Sequence, residues 1–112
     1  MRTQIYATLS QWFPDAFSDF VLKDPSFVDY ETLRHFAEYT KGLVLGDSDK
    51  MASPFKIINL LYVKGSLYQQ NAIENDFLKP IAAGLTSVSL KLYLDLMPDA
   101  LKPVFIKTIV EN

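Results

Sequence analysis

Apolar residues near the start of the chain recur at the spacing of an α-helix and stop at a proline. The i, i+4, i+7 and i+8 positions form one face of a helix that ends at Pro14. A second, short helical piece is predicted to end near Asp24 and Pro25. The apolar side chains of the two pieces are expected to enter the core: Ile5, Leu9, Trp12, Phe13, Phe17, Phe20 and Val21.

Residues 29–42, DYETLRHFAEYTKG, carry the start and stop signals of a helix. Asp29 can act as its N-cap, and Gly42 stands where helices commonly end. Because successive residues turn by about 100°, one side is predicted to face solvent with Glu31, His35 and Glu38. The other side is predicted to be buried and contains Tyr30, Leu33, Phe36, Ala37 and Thr40.

The segment between Gly42 and Pro54 is rich in Gly, Asp and Ser and is predicted to be the main loop. The next helix has two start signals, with Ser53 as a potential N-cap and Pro54 at the first helical position.

The stretch VKGSLYQQNAIENDFL, residues 63–78, supports two interpretations. Gly65 could end one helix, with Ser66 and Gln69 forming a capping box for the next. Alternatively, one helix continues from about residue 54 to 79, because the apolar residues on both sides of Gly65 keep one register. We favour the continuous helix and expect Gly65 to let a neighbouring element approach closely, although a mid-helix glycine costs up to about 1 kcal/mol relative to alanine. The residues in register are Ile57, Ile58, Leu61, Tyr62, Tyr68, Ala72 and Ile73.

A second apolar stripe covers another side of this predicted helix. A helix that is apolar on more than one side belongs in the middle of a bundle. The stripe consists of Leu60, Val63, Leu67 and Leu78.

The remaining C-terminal segments are short. After Pro80 a short turn or a helix remnant is predicted. The next segment, VSLKLYLDL, residues 88–96, alternates apolar and polar positions as a strand would. Leucine favours helix and β-branched residues are scarce, so we predict a buried helix ended by Pro98, with a two-stranded element that uses GLVLG as the alternative. A last helix is predicted to begin near Pro103.

These elements predict an all-α fold in a single domain, residues 1–112. The expected architecture is a compact orthogonal bundle of about five helices around a long central helix at about 54–79, with a small α+β fold as the minority alternative.

Composition narrows the possible partners. Apolar residues make up 49% of the 112-residue chain, so a real core can form, and the absence of cysteine removes disulfides and thiolate chemistry. The net charge is -2 and the basic residues are scattered, which disfavours nucleic acid and anionic membranes as partners. Without a signal peptide or a long apolar span, a cytoplasmic protein is expected.

No residues have the spacing of a catalytic or cofactor site. Glu31, His35 and Glu38 lie on one helix face but in the wrong order for a di-iron bundle, and the Asp47-Asp49 loop lacks the glycine and glutamate of a calcium loop. Catalytic residues, metal ligands and cofactors are therefore predicted to be absent.

Polar residues on the predicted central helix are the best candidates for a binding site. A buried polar side chain without a hydrogen bond costs about 1 to 3 kcal/mol, so these residues either hold the fold together or form the floor of a groove. The candidates are Gln69, Asn71, Glu74, Asn75 and Asp76.

The stretch NAIENDFL, residues 71–78, resembles a motif of small, all-helical bacterial proteins of immunity type, which act on secreted toxins by binding. The resemblance implies a bacterial cytosolic protein without catalytic residues. We therefore expect a non-enzymatic protein-binding module, an immunity or regulatory partner. The alternatives are a small-molecule- or metal-binding protein or enzyme, using Glu31, His35 and Glu38 or the region of Asn75 and Asp76, and a self-associating structural subunit.

Overall fold

The computed structural model describes residues 3–111, and in that part of the chain every regular element is helical. The all-α prediction is confirmed, and the two-stranded alternative is not found among the described residues. Six continuous helices are present in this range when residues 67–82, labelled α4, π turn and α5 below, are counted as one. This is one more than the expected number of about five, because the predicted central helix is divided.

Helix α1 spans Gln4–Trp12 and begins at Thr3, whose hydroxyl accepts a 3.1 Å hydrogen bond from the Tyr6 backbone N–H. Its buried residues are Ile5 and Leu9. Two 3₁₀ turns follow, Pro14–Phe17 and Pro25–Phe27, each with a proline at its start. The predicted ends at Pro14 and Pro25 thus mark the beginnings of short turns.

Helix α2 spans Val28–Leu45 and is longer than predicted. It passes through Gly42 and ends at Gly46. Asp29 is not the N-cap as predicted but a buried residue of the first turn, where its carboxylate interacts favourably with the helix dipole. The predicted buried side is confirmed for Leu33, Phe36, Ala37 and Thr40, while Tyr30 is half-buried.

Helix α3 spans Ser53–Lys64 and ends at Gly65, so the predicted continuous helix over residues 54–79 is wrong. Gly65 has an extended ψ of 161°, and Ser66 and Gln69 form a reciprocal capping box that begins helix α4, Leu67–Ile73. The apolar register across Gly65 did not decide the outcome, because the two capping bonds stabilise the break. The expected close approach of a neighbouring element is replaced by a local one, since a Cβ on Gly65 would lie 2.5 Å from the Leu61 carbonyl oxygen.

The break also exposes most of the second apolar stripe. Leu60, Val63 and Leu67 are exposed by 52%, 56% and 73%, and only Leu78 is buried as predicted. The short helix α4 continues without interruption into a π-helical turn, Glu74–Leu78, and then into α5, Lys79–Ala82. We call residues 67–82 the central helix.

The C-terminal helices are α6, Ser87–Leu96, and α7, Lys102–Glu111. Helix α6 confirms the helical prediction for residues 88–96, and its start is fixed by a capping box between Thr86 and Ser89. The expectation that it is buried is wrong, because Val88 is 81% exposed and Tyr93 is its only buried residue.

Aromatic rings connect the helices through the core. Phe77 of the π turn stacks on Phe36 of α2 at a centroid distance of 5.8 Å and meets Phe55 of α3 edge-on at 6.1 Å. Phe55 contacts Tyr93 of α6, which in turn contacts Phe105 of α7. The π turn therefore lies at the centre of the packing. Within residues 3–111, every helix is too short or too polar to traverse a lipid bilayer.

Candidate functional site

The π turn Glu74–Leu78 contains three of the five predicted site residues. The Lys79 backbone N–H bonds to the Glu74 carbonyl oxygen, five residues back instead of four. Pro80 accounts for this widening, because it has no N–H to donate to the Asp76 carbonyl oxygen and its ring would clash with that oxygen in a regular α-helix. The helix passes Pro80 and continues to Ala82, which agrees with the helix remnant that the sequence allowed there as an alternative to a turn.

The two carboxylates of the π turn point to different neighbours. Glu74 accepts a 2.8 Å hydrogen bond from the Tyr62 hydroxyl and lies 3.6 Å from Nζ of Lys107. Burial, followed by this bond to Glu74, raises the pKa of Tyr62 to about 12. Asp76 is buried and accepts a 2.7 Å hydrogen bond from Nε of Arg34. The π turn is thereby tied to α3 and α7 on one side and to α2 on the other.

Asn75 and Asp76 line an open cleft between α2 and the central helix. The cleft has a volume of about 720 Å³. We call it the Arg34 cleft, and its lining residues are Phe27, Tyr30, Glu31, Arg34, Asn75, Asp76 and Lys79. The sequence suggested a groove with the predicted central helix as its floor, and two of the five predicted residues, Asn75 and Asp76, line this cleft.

The other three predicted residues lie elsewhere. Gln69 accepts a hydrogen bond from the Ser66 backbone N–H at 2.8 Å and donates one to Gln4 at 3.2 Å, so it stabilises the helix start. Glu74 forms the contacts to Tyr62 and Lys107 described above. Asn71 is exposed and does not line the Arg34 cleft.

Glu31, His35 and Glu38 do not form a shared site. The Glu31 carboxylate accepts hydrogen bonds from the backbone N–H groups of Lys23 and Asp24, at 2.7 and 2.9 Å. Glu38 pairs with Lys41 at 3.2 Å. Among residues 3–111 no three His, Cys, Asp or Glu side chains are grouped closely enough to hold a metal ion.

His35 is half-buried, so the prediction that it faces solvent is wrong. Its Nε2 donates a 2.6 Å hydrogen bond to the Ala16 carbonyl oxygen, and its ring lies 5.4 Å from Phe17 and 4.9 Å from Phe20, centroid to centroid. The segment after α1 folds over this side of α2, which the periodicity of α2 alone could not reveal. His35 therefore fixes the N-terminal segment.

A second surface site, which the sequence did not suggest, lies between α1 and α3. A groove of about 360 Å³ continues into a smaller depression of about 170 Å³, and Trp12 and Ile57 line both. We call the two together the Trp12 groove. Its floor is formed by Trp12, Phe13, Tyr39, Leu43, Ile57 and Leu60. The expectation that Trp12 enters the core is wrong, because its side chain is 63% exposed.

Lysines surround the Trp12 groove. Lys50, Lys56 and Lys64 line it, and none of them pairs with a carboxylate within residues 3–111. Among its lining residues the one carboxylate is Asp15. The spacing of Lys56, Leu60 and Lys64 at i, i+4 and i+8 is the sequence signal that could have indicated this face, had Leu60 not been assigned to the core.

The fold and these two surface sites define an all-α protein with open, solvent-facing clefts. The chain belongs to the DUF7674 family, a domain of unknown function, whose family model matches residues 6–111. No curated protein and no solved structure matches the chain significantly.

Proposed function

We propose that this protein acts by binding another protein, and that the Trp12 groove receives an amphipathic segment of that partner with acidic side chains. The observation that carries the proposal is the exposure of Trp12 above an apolar groove with unpaired lysines. We propose binding and not catalysis.

The exposed indole favours a protein partner. Tryptophan is among the residues that contribute most to protein–protein affinity, because it combines a large apolar area with one hydrogen-bond donor. Leu60 extends the apolar surface beside it and is half exposed. A contiguous apolar surface bordered by polar groups is typical of an interaction site.

The charges of the groove select the partner. The lining of the groove contains three lysines, Lys50, Lys56 and Lys64, and one carboxylate, Asp15. The groove is therefore locally basic, although the whole chain has a net charge of -2. A local basic border on an acidic protein attracts an acidic segment and disfavours a basic one.

The length of the groove along α3 favours a helical segment of the partner. Along α3, Lys56 and Lys64 are separated by about 12 Å, or a little more than two helical turns. An amphipathic helix docks through apolar side chains at i, i+3, i+4 and i+7, which cover a similar length. The partner segment we propose therefore has leucine-like residues on one face and glutamate or aspartate beside them.

The cellular setting is a further part of the proposal. We place the protein in the cytoplasm of a bacterial cell, as an immunity or regulatory partner, on the basis of the resemblance of residues 71–78. The groove itself supports protein binding, and it does not distinguish an immunity role from a regulatory one.

Fluorescence provides a direct test, because Trp12 is the only tryptophan. The probe is a synthetic helical peptide with leucine at i, i+4 and i+7 and glutamate at the flanking positions, matched by peptides with glutamine or lysine instead of glutamate. We expect a saturable blue shift of the Trp12 emission with the glutamate peptide and weaker binding of the other two. Equal binding of all three would overturn the acidic specificity.

Matched variants locate the binding site. Trp12→Ala has no tryptophan, so its binding is followed by calorimetry, and it is expected to weaken peptide binding by at least about tenfold, corresponding to about 1.4 kcal/mol. Val88→Ala, at an 81% exposed position outside the groove, is the control. Lys56→Glu with Lys64→Glu should reduce binding of the glutamate peptide, and Lys91→Glu on α6 should not.

Affinity capture from the native cell at physiological salt then tests the biological partner. A stoichiometric protein that the native chain and Val88→Ala retain, and Trp12→Ala loses, would support the proposal. If Trp12→Ala captures the same protein as the native chain, the interface lies elsewhere. If light scattering shows instead a dimer that Trp12→Ala dissociates, the occupant is a second copy of this chain and the proposed partner is wrong.

A further inference from the structure

The Arg34 cleft has the features of a second binding site, separate from the Trp12 groove. The two sites share no lining residue. We propose that the Arg34 cleft binds an organic monocarboxylate that carries an aromatic or branched apolar group.

Arg34 is held in place and is also available to a ligand. Its Nε is bonded to Asp76, whose side chain is only 6% exposed, while the Arg34 side chain is 69% exposed. The two terminal guanidinium nitrogens make no hydrogen bond within residues 3–111. A buried carboxylate that fixes one edge of a guanidinium reduces the entropy lost when another edge binds a carboxylate.

The remaining charges of the cleft differ in what they can still bind. Glu31 has both carboxylate oxygens bonded to backbone N–H groups, and Asp76 accepts from Arg34. Lys79 lines the cleft and has no ion pair within the described part of the chain. Lys79 and the terminal nitrogens of Arg34 are therefore unbonded cationic donors, which a ligand that supplies acceptors can bind.

The formal charges favour a single negative charge on the ligand. Arg34 and Lys79 balance Glu31 and Asp76, so a phosphate dianion would be repelled by two carboxylates while gaining the same donors. A monocarboxylate can bind the guanidinium of Arg34 through both of its oxygens, and it carries half the charge of the dianion.

The apolar part of the ligand has a place in the same cleft. Phe27 is 50% exposed, and its ring lies 6.0 Å from that of Tyr30, centroid to centroid. The two rings form an aromatic wall beside the basic groups. The chemistry fits both a free aromatic acid and the C-terminal residue of a peptide chain.

The test uses the intact protein and five defined probes, one of which is inorganic phosphate. Binding of 3-phenylpropionate and of its amide is followed by backbone NMR shifts, and the tripeptide acetyl-Ala-Ala-Phe is compared as free acid and as amide. We expect each acid to bind at least about tenfold more tightly than its amide, with the shifts centred on residues 27–34 and 75–79. Tighter binding of the peptide acid identifies a chain terminus as the ligand, and tighter binding of 3-phenylpropionate identifies a free acid.

Variants of Arg34 and Lys79 test the two basic groups of the cleft separately, so that Lys79→Met is informative even if Arg34 is needed for folding. Arg34→Gln should abolish the difference between acid and amide. Lys79→Met, which breaks no ion pair, should weaken binding of the acid and leave binding of the amide unchanged. Lys91→Met should change the binding of neither probe. Equal binding of acid and amide, shifts elsewhere on the protein, equal effects of Lys79→Met and Lys91→Met, or tighter binding of inorganic phosphate would each overturn the proposal. None of these results depends on the Trp12 groove.

Discussion

Arg34 and Asp76 are joined by a 2.7 Å hydrogen bond between residues 42 positions apart in the chain. The guanidinium side of the pair is largely exposed and the carboxylate side is buried. Because Asp76 belongs to the π turn and Arg34 to α2, the pair fixes the turn that carries Phe77 into the centre of the core.

Breaking this pair from its two ends should have unequal effects on stability. Arg34→Met leaves a buried carboxylate without a partner, while Asp76→Asn keeps the shape and an oxygen that can still accept from Arg34. We expect the free energy of unfolding to fall by about 2 kcal/mol for the first and about 1 kcal/mol for the second, less than for a fully buried pair. Urea denaturation measures both.

The double variant provides the control for this asymmetry. Since the uncompensated charge disappears when both residues are replaced, Arg34→Met with Asp76→Asn should cost less than the sum of the single changes. Losses within about 0.5 kcal/mol for each single variant, as for ordinary surface positions, would contradict the structural importance of the pair.

Gly65→Ala distinguishes the observed helix break from the continuous helix by the sign of its effect. In a continuous helix, alanine would stabilise the protein by up to about 1 kcal/mol. In the observed break, the new Cβ meets the Leu61 carbonyl oxygen at 2.5 Å and Gln69 at 3.1 Å. We expect destabilisation of about 1 to 2 kcal/mol, measured by thermal or urea unfolding. Gly42→Ala is the matched control, because a Cβ there meets nothing within 4 Å.

Ser66→Ala tests the other half of the same break. Its hydroxyl accepts the Gln69 backbone N–H at 3.2 Å, and loss of such a cap costs about 1 kcal/mol. Ser53→Ala removes a serine at the start of α3 that makes no side-chain cap bond, and it should be nearly neutral. If the two variants unfold alike, the capping box does not stabilise the break.

The break at Gly65 shows how far helical periodicity predicts this fold. The helix propensity of leucine correctly indicated the helical state of residues 88–96, although the apolar positions there alternate as in a strand. Helical periodicity correctly indicated the buried face of α2. It could not rank one register against two capping bonds at Gly65 and Ser66, because the competing free energies are each about 1 kcal/mol. The break then exposed Leu60, Val63 and Leu67, which periodicity had assigned to the interior.

The candidate sites were predictable only in part for a different reason. Asn75 and Asp76 were recognised as polar residues that needed partners, but Arg34 lies on another helix and could not be assigned from local spacing. The Trp12 groove depends on how α1 and α3 approach each other. Its aromatic residues have the same sequence pattern as core residues, and only tertiary packing determines which of them remain exposed.

Tyr62 makes stability depend on pH in the alkaline range. Its pKa is raised from 10.0 to about 12, so the neutral form is favoured in the folded state. The contribution is complete below the unfolded pKa and is lost as pH rises through the interval between these two values. We expect Tyr62→Phe to remove part of the loss of stability between pH 10 and 12, relative to the native protein. Tyr39→Phe, which removes a phenol without a carboxylate partner in the described part of the chain, should retain it, and identical pH profiles for both variants would refute the prediction.

Trp12 and Leu9 lie on the same helix, and truncating them should destabilise the protein to different extents. Leu9 is fully buried, so Leu9→Ala should lower the free energy of unfolding by about 2 to 5 kcal/mol through lost burial and a cavity. Trp12 is 63% exposed, and Trp12→Ala should cost less, about 1 to 2 kcal/mol, because most of its surface already contacts water. Urea denaturation followed by circular dichroism measures both, since Trp12→Ala has no indole fluorescence. A loss at Trp12 as large as that at Leu9 would mean that the indole is needed to hold α1 on α3, and the stability of the variant would then have to be matched before any loss of binding could be assigned to the groove.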